Sequence, residues 1–312
     1  SACNPWPSPL FSSLKETCTV ESVRLGTNLA PDRPTRVNKT TTMIYKWYIL
    51  YLSGILGLNA ALFGTDSEAS ASVRLQMPVD QINVILRQTS MPDLGRGRLA
   101  KILTRYYIEG LGGPEDWEKI SSLKVSGNLL LKEGEFELNA FLKKPDLIKV
   151  SMRDNQREWV LGYDGETAWR EFPGANRKAE PMPADEARRF KHSAHFGSHL
   201  LYPFAIGKTI EYIDTIPVEG TICHQIRVTL DTDYQVDYFI DIRTYLEIKA
   251  VNTDLRTGKV NSLVYQDYFR EYGMPIARQA ESFEDGEWVS SLRLDEVKVN
   301  AGVIPWMFKM RD

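Results

Sequence analysis

The sequence is poor in cysteine, in histidine and in any excess of positive charge. Three cysteines and four histidines in 312 residues leave little for a disulfide framework or a metal cluster. A net charge of −3 gives no long-range attraction for nucleic acid. No glycine-rich loop follows a strand pattern, because Leu94-Gly95-Arg96-Gly97 comes after a polar link, and this argues against nucleotide chemistry. A His-Glu-x-x-His arrangement is absent. Only one long uncharged apolar run occurs, from Trp47 to Phe63, near the lower limit for a helix that spans a bilayer. No cysteine directly follows it, so a lipoprotein acylation site is missing there.

Residues 1–42 carry Cys3 and Cys18 among scattered Pro, Ser and Thr without periodicity, and read as an unstructured or untranslated leader. Residues 43–71 have the layout of a signal peptide: Met43 and Lys46, the apolar run, then Ala69-Ser70-Ala71 as a small-residue cleavage site. The alternative is an anchor formed by residues 47–63. Gly54, Gly57 and Asn59 weaken such a helix and favour cleavage. Residues 72–312 are then one large exported domain, in which Cys223 is alone and reads as a buried structural thiol.

What is present is alternation. From Leu123 to Phe172 apolar and polar residues alternate through five runs, broken by Lys132-Glu133-Gly134, Lys144-Pro145-Asp146, Arg153-Asp154-Asn155 and Asp164-Gly165. Such runs are half-buried antiparallel strands joined by tight turns. Seven more strand patterns lie between Thr209 and Val299. Before them, Leu99, Ile102, Leu103, Tyr106 and Tyr107 recur at helical spacing over 98–109, and Gly110-Leu111-Gly112-Gly113 stops that helix. Ala184-Asp185-Glu186-Ala187 starts a second helical segment reaching about Tyr202, broken at Gly197. The fold class is therefore α+β: a strongly curved antiparallel sheet of about a dozen strands that suits a barrel or half-barrel, with helices inserted between its two strand groups, and with either those helices or a ligand filling its inner face.

Within this pattern, Leu142-Lys143-Lys144-Pro145-Asp146-Leu147-Ile148 followed by Gly162-Tyr163-Asp164-Gly165-Glu166-Thr167-Ala168-Trp169 resembles the outer-membrane lipoprotein-sorting proteins of the LolA and LolB type. The Tyr238 to Leu246 strand pair, the Asp267-Tyr268 to Pro275 segment and the Val299-Asn300 ending extend the likeness over most of 99–312. The resemblance implies an incomplete β-barrel with helices covering its cavity, and a periplasmic carrier. It would bind lipid or the acyl chains of lipoproteins in a hydrophobic cavity and move them toward the outer membrane, with inner- and outer-membrane transfer partners, no cofactor and no catalysis. It also implies a lipid-binding set of Phe136, Leu138, Ile148, Val150, Trp159, Leu161, Trp169, Leu200 and Leu201, with Tyr202 and Phe204 beside the last two as gate residues. Lys144 and Pro145 form the gate turn. Lys144 stands where the family carrier has Arg, and Ile148 where it has an aromatic residue, so the latch is altered.

Two other functions compete. One is an envelope sensor of the same fold that binds a protein partner. The other is a metal-dependent hydrolase using His192, His195 and His199, whose i, i+3, i+7 spacing would place them on one helix face. The break at Gly197 disturbs that register, and surface or lid histidines are the better reading. His224 beside Cys223 is no dyad, because neighbouring strand residues point to opposite faces. Asp164 reads as a turn residue. The pairs Asp185-Glu186 and Glu284-Asp285 read as a helix start and a hairpin turn.

Overall fold

The computed structural model describes residues 97–174, 177–200 and 208–311. They open with α1 (Arg98–Arg105), which widens into one π-helical turn over Tyr106–Gly110. The apolar stripe buries Ile102, Leu103, Tyr106 and Tyr107 as its spacing predicts. Gly112 then turns the chain at positive φ, and a Cβ there would strike the backbone of Gly273, so this approach requires glycine. Pro114 opens α2 (Pro114–Lys119) at a position where its missing N–H costs nothing.

Thirteen strands follow. The first group is β1 (Ser122–Leu131), β2 (Gly134–Lys143), β3 (Leu147–Arg153), β4 (Glu158–Tyr163), β5 (Ala168–Glu171) and β6 (Ala179–Pro181). After α3 (Ala184–Ser193) come β7 (Lys208–Val218), β8 (Thr221–Leu230), β9 (Tyr234–Asp241), β10 (Glu247–Asp254), β11 (Val260–Glu271), β12 (Met274–Glu284) and β13 (Glu287–Val299). Among the described residues a 3₁₀ turn, Pro305–Phe308, follows the last strand. All strands belong to one antiparallel sheet in the order β6-β5-β4-β3-β2-β1-β13-β12-β11-β10-β9-β8-β7. The sheet is curved and unclosed, an incomplete barrel as expected. Two meanders of sequential hairpins meet at one seam, where β1 pairs with β13 from Leu123 opposite Val299 to Leu131 opposite Ser290.

The turns have the residues their geometry needs. Asp164 accepts N–H bonds from Glu166 and Thr167, and Asp154 does the same for Gln156 and Arg157, so both are structural Asx turns. Asp285 takes positive φ before Gly286 in the β12–β13 hairpin. Cys223 is buried in β8, and burial pushes its thiol up to about 11, as befits an inert core residue.

Two large core clusters line the inner face. One joins Leu123, Val125, Phe136, Leu138, Ile148, Val150, Trp159 and Leu161 to residues of β12 and β13. The other joins Ile226, Val228, Val236, Tyr238 and Ile240 to Ile102, Leu103, Tyr106 and Tyr107.

Three features depart from the sequence expectation. β6 lies in a stretch read as a polar connection, because Pro173 and Pro181 break any alternation. The second helix ends at Ser193 and not near Tyr202, and Gly197 adopts φ +92° in the loop that follows. Trp169, expected among the inward set, occupies the outer face. There it packs with Val160 and Ala179 and its Nε1–H donates to the Phe308 carbonyl at 2.7 Å. Its ring lies against Gly162, where a Cβ would stand 2.6 Å from Nε1 and closer still to the ring carbons. Ala168 takes the inward position of β5. Leu201, Tyr202, Phe204 and residues 1–71 lie outside the described residues.

Candidate functional site

Six of the expected inward residues of the first meander come together. Phe136, Leu138, Ile148, Val150, Trp159 and Leu161 are each at most 3% exposed, and Phe136 meets Trp159 edge-on at 5.6 Å. What faces them is α3 and the loop after it. Phe190, Ala194 and Phe196 belong to the same cluster, whereas Leu200 belongs to the cluster of the second meander. The segment from Ala184 to Leu200 is thus a strap that crosses from one apolar cluster to the other.

Lys144 and Pro145 hold the strap at Phe196. The Lys144 ammonium donates to the Trp117 carbonyl at 2.5 Å and sits 4.4 Å from the Trp117 ring centre and 5.8 Å from that of Phe196. A cation over two rings gains roughly 0.5–2 kcal/mol, according to how far it is desolvated. The Phe196 N–H donates to the Pro145 carbonyl at 3.2 Å. The turn expected to be a latch therefore touches both α2 and the strap, and lysine supplies the point charge that this geometry uses.

The last two residues of the strap, His199 and Leu200, are held by polar groups with no sequence signal of their own. Tyr107 donates to the Leu200 carbonyl, Lys208 donates to the His199 carbonyl, and the His199 N–H donates to the Tyr238 hydroxyl at 3.1 Å. Burial lowers the Lys208 ammonium to about 7. Beneath them Tyr106 donates to the Glu247 carboxylate at 2.5 Å, and burial raises the pKa of both groups. Glu186, read as a helix-start acid, is also buried and bonds Arg170 at 2.6 Å.

The three histidines do come together, but as a stack. His199 lies 4.4 Å from His195 and 5.0 Å from His192 between ring centres, with planes inclined by 9° and 17°. Ring nitrogens bind a metal in the plane of the ring, so parallel faces do not converge on one ion. Among the described residues no group of three or more His, Cys, Asp or Glu is placed to hold a metal. His224 contacts Thr215 at 3.0 Å through Nδ1.

No family model matches the chain, and no curated protein matches it in sequence. Solved structures do. The chain is similar to a DUF1329 family protein from Desulfovibrio piger ATCC 29098, with 10% identity over 67% of this chain and 95% of that one, at a TM-score of 0.49. It is similar to LolA superfamily protein NE2245 from Nitrosomonas europaea, with 11% identity over 67% and 96% and a TM-score of 0.48. A domain assigned to outer membrane lipoprotein sorting, from Vibrio parahaemolyticus, has 10% identity over 62% and 93% and a TM-score of 0.48. No helix among the described residues is long and apolar enough to cross a membrane.

Proposed function

We propose that the protein is a non-enzymatic carrier of the periplasm. It binds lipid or the acyl chains of lipoproteins between the inner face of the sheet and the strap, and carries them toward the outer membrane. The observation that supports this reading is that the strap itself covers the inner face with apolar side chains. Phe190, Phe196 and Leu200 are 0–1% exposed, and they come from one short helix and its loop, not from a second sheet. A strap of this kind can yield its place to an acyl chain. Each methylene hidden from water contributes about 0.8 kcal/mol, so a chain of ten or more offsets the loss of two aromatic contacts.

The experiment is mass spectrometry of organic extracts from the full chain, exported to a Gram-negative periplasm and purified without detergent. Stoichiometric phospholipid or acylated peptide supports the carrier. A lipid-free protein that also takes up no fluorescent fatty acid refutes it. Lys144→Met, which removes the ammonium from Trp117 and Phe196, is expected to raise fatty-acid uptake several-fold at a stability cost of about 1–2 kcal/mol. Unchanged uptake would remove Lys144 from the latch.

A second reading, the partner-binding sensor, is favoured by one observation. β7 is an edge strand of eleven residues, a length that suits strand addition by a partner. Lipid-free protein that captures a defined extended peptide would support it.

A further inference from the structure

The histidine stack is longer than three rings. Beyond His192 lies Tyr234, 3.9 Å away between centres and inclined by 12°, and the Arg188 guanidinium lies 4.7 Å from the Tyr234 centre. At the opposite end His195 Nδ1 contacts the Asp146 carboxylate at 3.2 Å. The column therefore runs from the second meander, through the strap, to the β2–β3 turn that carries Lys144 and Pro145. We propose that this column is an acid-operated latch: protonation of its inner histidines releases the strap from the inner face of the sheet.

The geometry leaves no room for charge. His192 and His199 are 6% and 7% exposed. His192 Nε2 faces Asn252 Oδ1 at 3.4 Å, while among the described residues its Nδ1 has no hydrogen-bond partner, nor has His199 Nε2. An imidazolium needs an acceptor at each nitrogen, so a proton on either ring creates a buried donor with nothing to receive it. The neighbours make matters worse. Arg188 stands on the strap one turn before His192, Lys208 reaches His199 from β7, and each histidine faces the other across the stack. The nearby acids are already engaged: Asp254 of β10 bonds Arg188 at 2.6 Å, Asp146 bonds His195, Glu186 bonds Arg170, and Glu247 of β10 accepts from Tyr106. Tyr238 of β9 is committed to the His199 N–H. Burial accordingly holds His192 down at about 3 and His199 well below the ordinary value.

A histidine held neutral in the closed form binds protons more weakly there than in the open strap, so opening is favoured as pH falls below about 6.5. At about pH 5 each such histidine multiplies the opening constant roughly 30-fold over its value at neutral pH. The latch does not depend on what, if anything, the inner face carries.

The test is amide hydrogen exchange of the full chain, without lipid, corrected for intrinsic rates, at about pH 7.5 and pH 5. The amides of Ala194, Phe196 and His199 report the strap, and those of β11 to β13 report the sheet. Strap exchange is expected to accelerate at least 30-fold at the lower pH while the sheet amides stay far better protected. In His192→Phe/His199→Phe, which keeps the ring stack, that acceleration is expected to vanish. His195→Gln, at the more open end, is expected to retain it, and this provides a readout if the double variant does not fold. Strap amides that do not accelerate, or that exchange in step with β11 to β13, would overturn the proposal.

Discussion

Gly162→Ala offers a sharp trial of the outer-face packing. The added methyl would lie 2.6 Å from Trp169 Nε1 and nearer to two ring carbons, and the indole is 1% exposed, so it has no free space in which to yield. Displacing it breaks the 2.7 Å bond to the Phe308 carbonyl, at about 1 kcal/mol, and overpacks the site at about 1–3 kcal/mol. The expected loss is therefore about 2–4 kcal/mol, read as a lowered urea midpoint at unchanged slope. A double-mutant cycle identifies the cause. In a Trp169→Leu background the same alanine should cost under about 0.5 kcal/mol, giving a coupling of roughly 2 kcal/mol. If Gly162→Ala costs less than about 0.5 kcal/mol in the natural chain, or equally much in both backgrounds, the steric argument fails.

Lys208, lowered to about 7 by burial, makes stability depend on pH. The unfolded lysine binds its proton up to about 10.4, so between about pH 7 and 9 stability should rise by at most about 1.4 kcal/mol per pH unit. Lys208→Met should flatten that slope in urea melts followed across the range, and an unchanged slope would mean that the ammonium is not desolvated. Two residues of the 3₁₀ turn should behave in opposite ways. Phe308→Ala removes a side chain that is 0% exposed and should cost about 3–5 kcal/mol, whereas Trp306→Ala, at 63% exposure, should stay within about 0.5 kcal/mol. Equal thermal shifts for the two would contradict the placement of this turn.

Most of the sheet could be read from alternation and turn chemistry. Asp-Gly, Glu-Gly and Lys-Pro-Asp breaks are local signals, and the ladders between neighbouring strands follow from them. β6 escaped because three residues ending in Pro181 carry no period. Trp169 departs from the expected face for a different reason: a single strand's alternation does not reveal which face a distant segment will cover, and here Phe308 and Met310 cover the outer one. Of the site, the apolar set and the Lys144-Pro145 turn were visible in sequence, as was the spacing of the histidines. Their stacking was not, since it arises from a loop that bends after Ser193 and not from a helix face. Phe190 and Phe196 gave a weak signal, as lone aromatics in a polar segment. Lys208, Tyr234 and the Tyr106–Glu247 bond gave none, because each is defined by a partner far away in the chain.

The seam between β1 and β13 has a consequence for how the chain finds its shape. Every other ladder among the described strands joins neighbours in sequence, and these can form as soon as their own hairpins close. Leu123 and Val299 must meet across nearly the whole described chain, so the loop-closure entropy of the sheet falls on this one event. The two ribbons are expected to mature separately and the seam to set the folding rate. Because the first strand is bonded to the last, the start of β1 and the end of β13 lie side by side, with the Asn300 N–H donating to the Ser122 carbonyl, and the run of strands is nearly circular in its connectivity.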